Sequence, residues 1–170
     1  MRKTGETIPD FSFLTLSGKV WESRPTAPPD FRLLVIYRGM WCLKCKMQLQ
    51  SLNALYDKFD AAGAHAIAVS ADTRERTLRT QTNYSLDKLD LGCEMPIGIA
   101  RELGVFISKG IHEKEMPLFC EPASFLINSD NQIQAAWIAS NAFARTSMGD
   151  VLSYIDFLRA HPDRGPRGSA

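Results

Sequence analysis

RLLVIYRGMWCLKC, residues 32–45, is the stretch from which the rest of the chain is read. Arg32 to Tyr37 is a short run of branched and aromatic residues, the pattern of a strand buried on both faces. From Leu43 to Ala62 the period switches to helical. Cys45, Leu49, Leu52, Tyr56 and Phe59 fall on one face, and Gly63 supplies a stop. His65 to Ser70 is a second apolar strand. Strand, helix and strand in so short a span make a right-handed crossover with parallel strands. Cys42 and Cys45 therefore stand where a central strand meets the N-terminus of a long helix.

That placement has a chemical use. Unpaired backbone N–H groups and the helix dipole at an N-terminus favour an anion, and the reactive form of cysteine is the thiolate. Cys42 is the expected nucleophile and Cys45, one turn further in, the thiol that resolves a mixed disulfide. Lys44 between them would favour the thiolate further. Half a zinc site is the competing use of such a pair. No second short-spaced pair of cysteines or histidines exists, so no metal is expected.

Working outward, Gly5 to Trp21 reads as short extended pieces about a Ser17-Gly18-Lys19 turn. Thr73 to Tyr84 is a polar candidate helix, Leu89 to Leu91 a short strand, and Ile97 to Leu103 a helix closed by Gly104. Val105 to Cys120 has no clear period and reads as a long loop. Ala123 to Ile127 and Ile133 to Ile138 flank Asn128-Ser129-Asp130-Asn131 as a hairpin. Ser147, with Asp150 three residues on, starts a last helix with Val151, Leu152, Ile155 and Leu158 as its buried stripe. The expected fold is α/β: a mixed central sheet with helices on both faces and an N-terminal β extension. One domain is expected over residues 1–162, with 163–170 as a flexible tail.

Composition excludes more than it selects. The 170 residues carry a net charge of +1, with 45% hydrophobic and 23% charged, so neither nucleic-acid attraction nor a membrane protein is indicated. No apolar run follows Arg2 and Lys3, which gives a cytoplasmic expectation. Four cysteines are too few for a disulfide scaffold, and a reducing compartment suits them. Cys93 and Cys120 read as buried structural thiols, the histidines as surface or loop residues, and Arg145 as solvent-facing.

At this point the sequence resembles known families. Val35 to Cys45 is similar to the thioredoxin active site, which has a Trp, here Trp41, before its first cysteine. GETIPDFSFLTLSG (residues 5–18) and FLINSDNQI (residues 125–133) resemble the alkyl hydroperoxide reductase/thiol-specific antioxidant superfamily, the peroxiredoxins and their relatives. The resemblance implies a thioredoxin-like fold and a redox-active Cys42–Cys45 disulfide with no further cofactor. It also implies a thioredoxin- or glutathione-type thiol donor, a disulfide or hydroperoxide substrate, and a possible homodimer.

Two departures separate the branches. With the peroxidatic cysteine placed on Cys45, the peroxiredoxin Pro falls on Arg38 and the Thr on Cys42. The peroxiredoxin Arg before the late hairpin falls on Pro122, where thioredoxins have a cis-proline against the cysteines. A cis bond at Pro122 would bring Glu121 toward Cys42, where its carboxylate opposes the thiolate. Arg38 either guides an acidic substrate, stabilises Cys42, or pairs at the surface. The leading expectation is thiol–disulfide exchange. A thiol peroxidase is the alternative, and a redox-sensing or metal-carrying interaction protein the third.

Overall fold

Ser12–Leu14 (β1) and Val20–Glu22 (β2) open the chain as an antiparallel hairpin with Phe13 opposite Trp21. The two rings stack, with centroids 4.9 Å apart. The computed structural model describes residues 2–168, so the last part of the expected tail, 169–170, lies outside the described residues.

Phe31–Ile36 (β3) is the central strand, and from Leu33 to Ile36 it is fully buried. Its side chains alternate between two cores as a strand's period of two requires. Leu33 and Val35 join Leu49 and Leu52 on one face of the sheet; Leu34 and Ile36 join Ala100 and Leu103 on the other. Each such buried side chain stabilises the fold by roughly 1.5–3 kcal/mol, which fixes the strand's register.

Leu43–Ala61 (α1) follows and ends at Gly63, whose φ of 74° lies in the left-handed region that favours glycine. Ala64–Val69 (β4) returns parallel to β3, with Val35 opposite Ala68. Arg74–Asn83 (α2) is capped by the Thr73 hydroxyl, which accepts from the Arg76 N–H. Leu91–Gly92 (β5) pairs parallel with β4, displaced from the expected Leu89–Leu91 because Leu89 is spent in the core beside α1. Ile97–Leu103 (α3) ends at Gly104.

The expected loop at Val105 to Cys120 is instead a second small hairpin. Ile107–Lys109 (β6) pairs antiparallel with Leu118–Cys120 (β7) across a loop from Gly110 to Pro117. Strands of three residues are too short to print a period on the sequence, so only their pairing reveals them. Ala123–Asn128 (β8) and Ile133–Ile138 (β9) form the late hairpin, and Met148–Ala160 (α4) is capped by Ser147. The main sheet runs β5-β4-β3-β8-β9, with β8 antiparallel to β3 and to β9. Helices α1 and α4 cover one face, while α3 and the N-terminal hairpin cover the other.

One implied feature is corrected. No peptide bond among the described residues is cis, so the Glu121–Pro122 bond is trans. The Glu121 N–H donates to the Phe106 carbonyl and the Pro122 carbonyl accepts from Ala139. An extended chain thus leads from β7 into β8, and the trans isomer is the intrinsically favoured one. Among the described residues no helix is long and apolar enough to cross a membrane.

Candidate active site

The Cys42 backbone leaves the extended region just before α1, which makes Cys42 the N-cap residue. Its Sγ accepts from the Cys45 N–H at 3.3 Å, satisfying one of the free donors at the helix start. The capping atom is therefore a thiol sulfur. Cys42 is only 5% exposed, and Cys45 is wholly buried. The covering comes from tertiary packing that a helix-end position does not reveal.

The two sulfurs have opposite electrostatics. The Cys42 thiol is pushed down to about 6, first by a hydrogen bond from the Cys45 thiol. Burial opposes that shift, and the Cys45 N–H and the charges of Arg145 and Arg38 reinforce it. Burial pushes the Cys45 thiol well up, and the bond it donates to Cys42 adds to this. One sulfur holds the charge and the other holds the proton.

Arg145 is the residue that sequence reasoning placed wrongly. Far from facing solvent, its Nη2 stands 3.1 Å from Cys45 Sγ and 3.5 Å from Cys42 Sγ. Its Nε donates to the Ala142 carbonyl at 2.7 Å and its Nη1 to Gln48 Oε1 at 2.8 Å. Nothing local marks Arg145: the loop before α4 has no period, and 100 residues separate it from Cys45.

The other expected residues divide. Arg38 donates its backbone N–H to Cys45 Sγ at 3.4 Å. Its guanidinium turns away and pairs with Glu121 at 3.2 Å, a contact of charges without the alignment of a hydrogen bond. Ser108 donates to the other Glu121 oxygen at 2.7 Å, so this buried carboxylate is engaged away from the sulfurs. Lys44 places its ammonium over the Phe143 ring, 5.2 Å from the centroid, and does not face the thiolate. Pro122 sits one position before Ala123, which pairs with Ile36 at the end of β3. Cys120 belongs to the opposite core and Cys93 faces the Leu14 carbonyl, so neither joins the pair.

The turn that presents Cys42 is held from several sides. Asp72, fully buried, accepts from the Met40 N–H at 2.9 Å and from Arg76 Nε at 2.8 Å. Tyr84 donates its hydroxyl to the Met40 carbonyl. Trp41 packs edge-on against Phe119 at 5.2 Å, with the Arg76 guanidinium over its face. Gly39, at φ 152°, lies under the Trp41 ring, where a Cβ would come within 2.1 Å of it. The described residues contain no group of three or more His, Cys, Asp or Glu that could hold a metal ion.

The fold and site define a thioredoxin-like protein with a dithiol at the start of its first long helix. The chain belongs to the AhpC/TSA family, whose model matches residues 4–136. It is 26% identical over 129 residues to the thiol-disulfide oxidoreductase ResA of Bacillus thuringiensis, covering 76% of this chain and 66% of that protein. The ResA of Geobacillus thermodenitrificans is 26% identical over 130 residues. The chain thus spans 66% of the length of the curated relatives it matches. Among solved structures, peroxidoxin BcpB of Mycobacterium tuberculosis superposes with a TM-score of 0.73 at 20% identity, covering 95% of this chain and 99% of that one. Peroxiredoxin 6 of Arenicola marina gives 0.76 at 19% identity, covering 95% and 76%. At these identities the likeness is one of fold.

Proposed function

We propose that the protein is a thiol–disulfide oxidoreductase in which Cys42 attacks and Cys45 resolves. The observation that carries this reading is the asymmetry of the pair: Cys42 caps α1, its Sγ accepting from the Cys45 N–H at 3.3 Å, while Cys45 is wholly buried one turn in, an arrangement that pushes the first thiol down and the second up. The Cys42 thiolate attacks one sulfur of a substrate disulfide, and the other leaves as a thiolate. Cys45 then loses its proton and attacks Cys42 Sγ, releasing the second thiolate and closing the Cys42–Cys45 bond. Two electrons pass to the substrate, and no bound cofactor is required. A thioredoxin- or glutathione-type dithiol or thiol donor in a reducing compartment, the cytoplasm, would recharge the pair. The resemblance to ResA, a thiol-disulfide oxidoreductase by name, supports the same chemistry.

One observation favours peroxide reduction as a second reading. Cys45 matches the peroxidatic position and receives two donors, the Arg38 N–H and Arg145 Nη2. Its complete burial weighs against a hydroperoxide reaching it. Single-turnover oxidation of the reduced protein by insulin and, separately, by hydrogen peroxide separates the two. Faster oxidation by insulin is expected, with Cys45→Ser trapping mixed disulfides at Cys42. Faster oxidation by peroxide, with a sulfenic acid forming at Cys45 in Cys42→Ser, would reverse the assignment.

A further inference from the structure

The arginines packed around the site spend their donors. Arg76 gives its own to Asp72 and the Lys114 carbonyl, Arg145 to Gln48 and the Ala142 carbonyl, and Arg74 to the Thr15 and Leu16 carbonyls. Arg38 is the exception. Among the described residues its guanidinium makes no hydrogen bond, although only 21% of the side chain is exposed. It is held by packing and charge instead. The guanidinium carbon lies 4.8 Å from the centre of the Phe119 ring, which also carries the Trp41 indole. Glu121 Oε2 stands 3.2 Å from Nε, out of line for a hydrogen bond, and Nε is buried there. The terminal Nη1 and Nη2 lack partners too and stay open to solvent.

The backbone brings this fork close to the reacting sulfur. The Cys42 N–H donates to the Gly39 carbonyl at 3.2 Å, so the turn folds back toward Arg38, whose own N–H reaches Cys45. After the Cys45 thiol, the Cys45 N–H and Arg145, the charge of Arg38 also favours the Cys42 thiolate. A guanidinium with a free edge of parallel donors matches a carboxylate, which takes both at once. The protein's own carboxylates near it are engaged elsewhere. Glu121 sits at Nε with its other oxygen on Ser108, and Asp72 is taken by Met40 and Arg76. Glu115, held below its ordinary value first by the Ile111 N–H and also by the charge of Arg38, spends its carboxylate on the Ile111 and His112 N–H groups. The geometry points to Arg38 as a specificity-determining residue whose Nη1 and Nη2 take a carboxylate of the substrate while Cys42 attacks. The substrate class is then a disulfide with an acidic group next to its sulfurs. The carboxylate takes no part in the bond exchange: Cys42 Sγ still displaces one substrate sulfur as a thiolate, and the acid only fixes where the S–S bond lies.

The inference rests on the dithiol-exchange reading and is tested apart from it with two peptide disulfides, identical except for Glu or Gln beside each cysteine. The first phase of exchange, attack by Cys42, is followed by acid quenching and mass measurement, and each rate is divided by that of mercaptoethanol with the same peptide. The wild-type protein should favour the Glu peptide about 5- to 20-fold at low salt, and the ratio should shrink as salt rises, because a contact at a partly exposed charge is screened. Arg38→Gln should bring the ratio close to one. Loss of this charge also lowers the thiolate fraction of Cys42, but that slows both peptides alike and cancels in the ratio. Arg38→Lys should keep the thiolate and recover only part of the ratio, because an ammonium lacks the fork. Oxidised glutathione against its ethyl ester is the second arm. A preference for the free acid there as well assigns the carboxylate to a small peptide, and a preference confined to the Glu peptide assigns it to a protein disulfide; each supports the inference. Equal rates with both peptides in the wild-type protein would overturn it while leaving dithiol exchange intact. A preference that survives Arg38→Gln would overturn it too, since another cation, such as Lys44, would then hold the acid. A wild-type protein that opens neither peptide nor oxidised glutathione would overturn the dithiol reading and this inference with it.

Discussion

Replacing Cys45 by Ala removes the largest of the influences that hold the Cys42 thiol down to about 6. In the parent protein at pH 7 a thiol of that pKa is about nine-tenths thiolate, since each unit between pH and pKa is a factor of ten. Without the Cys45 thiol, the Cys45 N–H, Arg145 and Arg38 still favour the anion, and burial still opposes it. Losing one hydrogen bond to a buried anion moves its midpoint up by about 1–2 units, or about 1.4–2.7 kcal/mol. The thiolate fraction at pH 7 then falls to between about one-half and one-tenth. Cys45→Ser should shift the midpoint less, because a hydroxyl can donate the same bond. Ultraviolet thiolate absorbance against pH, checked by alkylation rates at Cys42, reads these midpoints directly. The shift also has a stability counterpart. A folded pKa below the unfolded one stabilises the reduced protein fully above the unfolded value of about 8.5, and that stabilisation is lost as pH falls through about 6. Urea midpoints of the reduced protein should drop across that window on acidification. A wild-type midpoint near about 8.5, the ordinary value for a free thiol, would refute the reasoning.

Two other perturbations probe the turn that presents Cys42. Gly39→Ala should cost about 2–4 kcal/mol, from backbone strain at positive φ and loss of the Trp41–Phe119 contact, read by denaturation and a shift in tryptophan fluorescence. An unaltered midpoint and spectrum would show that the ring yields freely. Asp72→Ala strands Arg76 and the Met40 N–H and should cost about 3–5 kcal/mol, with a slower first phase of disulfide exchange. Asp72→Asn, which keeps an acceptor for Met40, should cost less; equal losses in the two variants would argue that Asp72 acts through its charge with Arg76 alone.

Much of this molecule is legible locally. The apolar run before the cysteines, the helical face from Cys45 to Phe59 and the second strand after Gly63 each follow from short-range periodicity. Together they place Cys42 at a helix start with Cys45 one turn behind. The late hairpin and the Ser147-capped helix are read the same way, because turn residues and caps act on their immediate neighbours. Packing between distant segments decided the rest. The trans Glu121–Pro122 bond is set by the run from β7 to β8, and the short β6–β7 pair exists only as a pair. Glu121 meets Arg38 instead of a sulfur, and Lys44 meets Phe143, because the β6–β7 hairpin and the loop before α4 come to rest beside the turn. The electrostatics of the dithiol belong to this second kind. A charge acts through distance in space, so Arg145, 100 residues from Cys45 along the chain, becomes its neighbour only when α4 packs against α1.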